Sequence, residues 1–249
     1  MSPDASAPDP DVRPGPQDQL HDLLRAATGQ LLGATIAVSE EEWRAPSRLP
    51  GWSRGHLATH LARQADALRR LTGGALGGQR QEMYPSPGQR EAEIEAGAGR
   101  SGLELQIDLD TSAGLLEEAF ASVQEAGAWD VEVELRGGLR VPARLLPLAR
   151  LLEVAVHHVD LDVGREVTDL DDATAGWLLE WCGLRLRERD EFPRLELVSP
   201  TTQITVGSSG AVRTVRGSSA ALLGWLTGRT DGADLDGVDG VDGLRLPAF

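Results

Sequence analysis

The sequence predicts an α+β protein in which a helical bundle, residues 18–188, precedes a small α+β domain, residues 189–249. Two observations indicate this fold class. Apolar residues recur at spacings of three and four through most of the first segment, which is the period of amphipathic helices. After about residue 191, short alternating segments are joined by Gly and Ser, which is typical of strands. Residues 1–17 are rich in Pro and Asp and are predicted to form a disordered leader.

The helices of the bundle are predicted from their apolar periodicity and from their caps. Ser39 and Ser53 stand at helix starts, where a serine side chain accepts a hydrogen bond from a free backbone N–H. The glycines of residues 73–78 are expected to break the helix that Ser53 begins, so that it ends near Leu71. The predicted helices span residues 18–38, 39–43, 53–71, 89–96, 101–125, 145–161 and 171–187.

Strands are predicted in two places. Residues 131–141 alternate apolar and polar side chains around Gly137-Gly138, which predicts a small hairpin inserted between two helices. The C-terminal domain is predicted to contain a further helix that ends at Gly228, as a glycine C-cap would end it. Its strands and this helix are predicted at residues 195–199, 203–207, 211–216 and 218–227.

The composition excludes several classes of protein. The formal net charge is −15, which argues against a nucleic-acid partner because binding to phosphates needs a basic face. Cys182 is the only cysteine, so an internal disulfide and a Cys-based zinc site are excluded, and its apolar surroundings indicate a buried, inert thiol. No apolar run approaches the length of a membrane span, and residues 1–17 lack the apolar core of a signal peptide. We therefore expect a cytoplasmic protein without a membrane partner, as a monomer or weak homo-oligomer.

The main functional signal is a carboxylate and imidazoles on apolar helices. Glu153 and His157 are four residues apart, so both lie on one face of a helix, among Leu, Val and Ala. A buried carboxylate needs a partner, either a cationic side chain or a metal ion. His56 and His60, on another predicted helix, supply further imidazoles, and one His joined to Glu153 and His157 makes a three-ligand set that suits Zn²⁺, while Fe²⁺, Ni²⁺ and Mn²⁺ are harder to exclude.

The choice of histidines follows from helix geometry. His158 is turned about 100° away from His157 and is expected to be packed or partly exposed. His56 lies in the first turn beside Arg54, where the helix N-terminus disfavours a further cation, whereas His60 lies deeper in the helix. We therefore predict His60, Glu153 and His157 as metal ligands, with His56 as the alternative to His60. Satisfied core histidines are the structural alternative to a metal site.

Several segments together resemble a known family. They are Leu49-Pro-Gly-Trp-Ser-Arg-Gly-His-Leu-Ala-Thr-His60-Leu-Ala-Arg, Met83-Tyr84-Pro-Ser-Pro, Arg90-Glu-Ala-Glu-Ile, Glu153-Val-Ala-Val-His157-His-Val-Asp160-Leu and Gly228-Arg229. In this order they are similar to the mycothiol-dependent maleylpyruvate isomerases of the DinB-like metal-binding superfamily, over residues of about 20 to 230. The resemblance implies a DinB-like four-helix bundle, a metal held by His60, Glu153 and His157, and Arg229 as a catalytic or substrate-binding residue.

The resemblance also implies a reaction. A Zn²⁺ or other divalent ion would ionise the thiol of mycothiol, and the thiolate would add to maleylpyruvate, allow bond rotation and leave to give fumarylpyruvate. Arg229 and, as a weaker candidate, Arg54 would clamp the anionic substrate, because guanidinium pairs with carboxylate in bidentate fashion. A surface ion pair or a cap interaction is the alternative role for Arg54. Tyr84 would line the pocket, with simple packing as its alternative role. Asp160 would orient a ligand histidine, with a helix-surface acid as the alternative. A mycothiol S-transferase acting on another electrophile and a non-catalytic metal- or ligand-binding protein are the alternative functions.

Overall fold

The computed structural model describes residues 17–187, 189 and 192–238, so the predicted leader lies, except for Gln17, outside the described residues. The fold is α+β, as predicted, with helices dominating the first part of the chain and a small sheet in the second. The chain divides into two compact units between Val163 and Gly164. This division lies earlier than the expected boundary at residues 188/189, because the helix at Asp172–Leu186 packs against elements of the C-terminal unit.

The N-terminal unit is built on four long helices. They are α1 (Gln17–Thr35), α3 (Arg54–Gly77), α5 (Gly102–Glu125) and α6 (Leu146–Asp160), and the short helices α2 (Glu40–Arg44) and α4 (Gln89–Gly97) lie in the connections. Helix α3 packs against α5 and α6, and α1 packs against α6. The contacts bury a leucine-rich core that includes Leu57, Leu61, Leu68, Leu105, Leu148, Leu151 and Leu152. The central pair α3 and α6 therefore presents buried faces to each other, which is where the predicted ligands lie.

Helix α3 continues beyond its predicted end near residue 71 and stops at Gly77, where Gly78 adopts a left-handed conformation with φ of 64°. Glycine in a helix costs about 1 kcal/mol relative to alanine, which is why Gly73-Gly74 predicts a break. A Cβ atom on Gly74 would lie 2.7 Å from the Gln79 carbonyl oxygen. The close return of the following chain therefore requires glycine at this position inside the helix.

The predicted hairpin lies between α5 and α6. Strands β1 (Glu132–Glu134) and β2 (Arg140–Pro142) pair antiparallel, with Val133 opposite Val141. A 3₁₀ turn at Ala143–Leu145 connects β2 directly to α6, which carries Pro147 in its first turn. Proline is tolerated there because its missing N–H has no partner within the helix.

The C-terminal unit combines helix α7 (Asp172–Leu186), strands β3 (Pro193–Val198), β4 (Gln203–Val206) and β5 (Ser209–Arg216), and helix α8 (Ser219–Leu226). The sheet has the order β4-β3-β5, with β4 antiparallel and β5 parallel to β3. Helix α7 packs on β4 and α8. Within the described residues, no helix combines the length and the apolar character needed to cross a membrane.

Candidate metal centre

Helix α6 supplies two of the predicted ligands from a single face. Glu153 and His157 are one turn apart, and the His157 Nε2 atom lies 3.3 Å from Glu153 Oε2. The side chains are 13% and 7% exposed, respectively, so both polar groups are largely removed from water. A polar pair at this depth needs partners, because an unpaired buried charge is strongly unfavourable.

Helix α3 brings His60 to the same point. Its Nε2 atom lies 3.0 Å from Glu153 Oε2 and 3.1 Å from His157 Nε2. One ligand atom from each of the three side chains lies within 4.8 Å of the others. Nitrogen and oxygen donors from two helices therefore converge on one buried position.

The spacing of these atoms fits a divalent cation. Around a tetrahedral zinc with ligand distances of about 2.0–2.1 Å, neighbouring ligand atoms are about 3.3–3.4 Å apart. The three observed separations of 3.0, 3.1 and 3.3 Å differ from this value by a few tenths of an ångström. Two His and one Glu also form the donor set of zinc sites that keep a fourth position for a reactant. The residues present therefore fit a metal ion with borderline nitrogen and oxygen preferences.

Burial and mutual hydrogen bonding determine which side chains of this cluster are charged. Burial lowers the pKa of His60 to about 4, so His60 is neutral near pH 7. Burial also disfavours charge on His157, but its hydrogen bonds to Asp160 and Glu153 prevail and raise its pKa. For Glu153, the hydrogen bonds from His157 and His60 overcome the effect of burial and hold its pKa well below the usual value. The cluster therefore presents an ionised carboxylate, the form that binds a metal.

Asp160, predicted to orient a ligand histidine, lies within reach of His157. Its Oδ2 atom is 2.8 Å from His157 Nδ1, and the residue is 1% exposed. A carboxylate that accepts the Nδ1–H of an imidazole leaves Nε2 free as a metal donor and fixes the ring orientation.

His56 takes a different role from His60. It occupies the third position of α3, where its Nδ1 atom accepts the backbone N–H of Ser53 at 3.2 Å and completes a capping box. Its Nε2 atom lies 3.3 Å from Glu95 Oε2 on α4. The structure therefore brings His60, and not His56, to Glu153. His158 is buried, outside the three-residue cluster.

Arg54, the weaker candidate for a substrate clamp, is bonded to backbone carbonyl oxygens. Its Nε donates to the Leu161 carbonyl oxygen at 2.6 Å, and its Nη2 donates to the Asp162 carbonyl oxygen at 3.2 Å. A further bond runs from Nη1 to the Glu42 carbonyl oxygen at 3.4 Å. The guanidinium therefore joins the start of α3 to the residues that end α6, which favours the structural alternative, and the substrate role of Arg54 stays a prediction.

Tyr84 and Arg90 line a cavity of about 400 Å³ between residues 80–91 and the β1–β2 hairpin. Burial raises the pKa of the Tyr84 hydroxyl, while the nearby Arg90 guanidinium opposes that shift. The Arg90 Nη2 atom lies 3.2 Å from His60 Nδ1, which connects the cavity to the predicted ligands. Arg90 lies within one of the family-like motifs, but the sequence predicts no role for it, because the local pattern does not indicate a contact across 30 residues.

Comparisons with known proteins agree with this architecture. Residues 24–162 match the family model described as the mycothiol maleylpyruvate isomerase N-terminal domain, which is more than half of the chain. The chain belongs to this family. No match is found among curated protein sequences.

Two solved structures resemble most of the chain. A crystal structure of the mycothiol-dependent maleylpyruvate isomerase has 27% identity and a TM-score of 0.79, covering 89% of this chain and 92% of that one. A crystal structure of a histidine-to-alanine mutant of a mycothiol-dependent maleylpyruvate isomerase has 26% identity and a TM-score of 0.74, with coverages of 87% and 90%. The family likeness therefore extends beyond the N-terminal domain.

Arg229, which the family resemblance marks as catalytic, lies in the C-terminal unit. It follows α8 and Gly228, which has a left-handed φ of 75°. Its Nη1 donates to the Thr227 carbonyl oxygen. Arg229 therefore lies in the turn that follows α8. Its catalytic role stays a prediction.

Proposed function

We propose that this protein is a mycothiol-dependent cis–trans isomerase that converts maleylpyruvate into fumarylpyruvate. The observation that carries the proposal is the convergence of His60, Glu153 and His157 at one buried position in a member of this family. The likeness to the isomerase structure over 89% of the chain supports it. The cofactors in this proposal are mycothiol and a divalent metal, with Zn²⁺ the best match to the donor set.

In this proposal, His60, Glu153 and His157 hold the metal, and Asp160 fixes the His157 ring through its 2.8 Å contact with Nδ1. When bound, the cation supplies Lewis acidity, under which a coordinating thiol loses its proton. The protein residues contribute a buried arrangement in which the donor atoms are already within a few tenths of an ångström of tetrahedral spacing. The three donor atoms then need to move only slightly to surround a metal ion.

The proposed reaction conserves the thiol. The sulfur of mycothiol forms a bond to one alkene carbon of maleylpyruvate, and the π electrons move onto the conjugated carbonyl system. The former double bond is then a single bond and rotates. Return of the electron pair breaks the carbon–sulfur bond, forms the trans double bond and releases the thiol unchanged.

The chain does not provide a nucleophile of its own in this scheme. Cys182 is fully buried, and burial raises its pKa to about 12, so it stays a protonated thiol near pH 7. Reactive cysteines need a lowered pKa and access to substrate. This agrees with an external thiol as the attacking group.

We assign the remaining substrate contacts to Arg229 and Tyr84. Arg229 would pair with a substrate carboxylate, since a guanidinium forms two parallel hydrogen bonds with it. Tyr84 would line the cavity near the metal ligands. We further propose that the enzyme acts in the cytoplasm on mycothiol and a small anion, as a monomer or weak homo-oligomer.

The test is to incubate the zinc-loaded protein with mycothiol and maleylpyruvate while product and free thiol are measured together. We expect fumarylpyruvate to accumulate through many turnovers with the free thiol constant. Loss of one thiol for each substrate consumed would instead identify an S-transferase. Metal binding with neither product nor thiol loss would reject isomerisation of this substrate.

A further inference from the structure

Arg90 is a cation placed against a predicted metal ligand. Its side chain is 15% exposed, and its Nη2 atom lies 3.2 Å from His60 Nδ1. The guanidinium carbon is 5.7 Å from the centre of the Trp52 ring, in a cation–π arrangement. The residue also lines the cavity that contains Tyr84. Arg90 therefore stands between the metal centre and the cavity.

The contact between Arg90 and His60 fixes the position of a proton. A guanidinium has only donors, so His60 Nδ1 must accept. A neutral imidazole then carries its proton on Nε2, which faces Glu153 Oε2 at 3.0 Å. His60 is therefore arranged, in this contact, as a donor to Glu153.

A metal at His60 Nε2 requires the opposite arrangement. The nitrogen that binds a metal is unprotonated, so the ring proton moves to Nδ1, where it normally donates to an oxygen acceptor. Nδ1–H and the Arg90 N–H would then be two donors facing each other at 3.2 Å. The hydrogen bond between Arg90 and His60 and a metal on His60 therefore exclude each other.

The cavity wall carries three arginines and three glutamates, but Arg90 has no carboxylate to itself there. Glu91 lies 3.3 Å from Arg90 and 3.4 Å from Arg136, so one carboxylate serves two guanidinium groups. Arg80, also on the wall, pairs with Glu134 at 2.7 Å. The remaining acidic residue of the wall, Glu82, is exposed. Arg90 is only 15% exposed, whereas the Glu91 side chain that it shares with Arg136 is 55% exposed. A carboxylate from a ligand would therefore give Arg90 a partner of its own inside the cavity.

We propose that this cavity is a carboxylate subsite and that metal binding transfers Arg90 from His60 to the bound carboxylate. The inference rests on the proposed metal centre of the isomerase. Its consequence is that the metal and the carboxylate favour each other's binding. By thermodynamic linkage, each must raise the affinity of the other by the same factor.

Calorimetry of the full-length, metal-free protein tests this coupling. Zn²⁺ is titrated with and without saturating succinate, a simple dicarboxylate, into the unaltered protein and into Arg90→Gln. We expect succinate to tighten zinc binding to the unaltered protein by at least about fivefold, the lower end of usual couplings. In Arg90→Gln the succinate effect is expected to disappear, while zinc alone binds as tightly as before or more tightly, because an amide oxygen accepts from Nδ1–H.

Two further variants serve as controls. Arg69→Gln removes an equal charge from α3, where Arg69 is 47% exposed and lies 3.6 Å from Asp66, and should keep the full coupling. Arg90→Lys keeps the cation without the planar fork and should retain part of the coupling. Succinate also binds zinc in solution, but this lowers the free zinc concentration equally in every titration. Differences between variants therefore report only binding to the protein. Thermal melting curves check that each variant is folded.

The outcomes separate the inference from the proposed function. Zinc binding to the unaltered protein without a succinate effect would overturn the subsite and leave the metal centre standing. A succinate effect that persists in Arg90→Gln, or zinc binding that weakens in Arg90→Gln without succinate, would overturn the role of Arg90. No zinc binding to the unaltered protein would overturn the metal centre and this inference with it.

Discussion

The metal-centre residues and the arginines that flank them lie on the same two helices but use their polar groups differently. Arg150 on α6, 3% exposed, donates from Nη1 to the Leu61 carbonyl oxygen at 2.8 Å and to Gln64 Oε1 at 2.7 Å. Arg54 is likewise bound to backbone carbonyls. The metal-centre residues instead direct three Lewis bases at one another. The fold supplies hydrogen-bond acceptors to the flanking arginines, whereas the three donor atoms of the proposed centre would be completed by a bound cation.

The largest expected effect follows from removing a ligand at the centre. Glu153→Gln replaces the ionised carboxylate with a neutral amide while keeping its size. We expect zinc affinity to fall by more than about 100-fold, because losing a ligand costs more than losing a residue that hydrogen-bonds to a ligand. Isomerase activity should be lost as well. Zinc titration and product formation are the measurements. Full zinc affinity in this variant would place the metal elsewhere.

A smaller effect is expected when the partner of a ligand is changed. Asp160→Asn keeps the shape but weakens the acceptor that fixes His157 through the 2.8 Å contact. Zinc affinity should fall by about 10- to 100-fold, with zinc still bound at high concentration. Competition with a chelator of known affinity measures this change. An unchanged affinity would show that the His157 ring is held by packing alone.

Replacing the flanking arginine Arg54 should lower the stability of the fold without changing metal binding. Arg54→Ala leaves the Leu161 and Asp162 carbonyl oxygens without a charged donor, and we expect a loss of about 1–3 kcal/mol in the free energy of unfolding. Zinc affinity and the KM for substrate should stay unchanged. Denaturant unfolding and steady-state kinetics make the comparison. A raised KM with normal stability would support the substrate role predicted for Arg54.

The smallest effect is expected at Cys182, in the C-terminal unit. Burial raises its pKa to about 12, so the thiol stays protonated and its reactivity should not rise through pH 8–9 as an exposed cysteine's does. A chromogenic disulfide reagent should react with the native protein only as it unfolds. Cys182→Ala should keep its isomerase activity. Rapid labelling of the native protein at pH 8 would contradict the inert role.

Much of the helical organisation could be predicted because apolar periodicity and serine caps are local signals. The same spacing of four residues that places Glu153 and His157 on one face was sufficient to predict that pair. The extension of α3 to Gly77 is not predictable from local sequence. Glycine is needed at position 74 because the backbone at Gln79 approaches the helix too closely for a Cβ atom. Packing against a later segment outweighs the low helix propensity of glycine.

The roles of individual polar residues were harder to predict than their helices. His56 stands three residues after Ser53, a capping-box position, but only the structure shows that its ring accepts the Ser53 N–H. Arg54 donates to the carbonyl oxygen of Leu161, which is 107 residues further along the chain, and Arg90 contacts His60 on the preceding long helix. These contacts depend on how the helices assemble, which residue spacing does not encode.

Metal content in a pair of histidine variants tests the central claim most directly. His60→Ala and His56→Ala remove the same side chain from positions one helical turn apart on α3, and only His60 lies within the three-residue cluster. After zinc loading and dialysis, we predict about one zinc per chain in the unaltered protein and in His56→Ala, and almost none in His60→Ala, as a three-ligand site requires. Full zinc content in His60→Ala would contradict the metal centre described here.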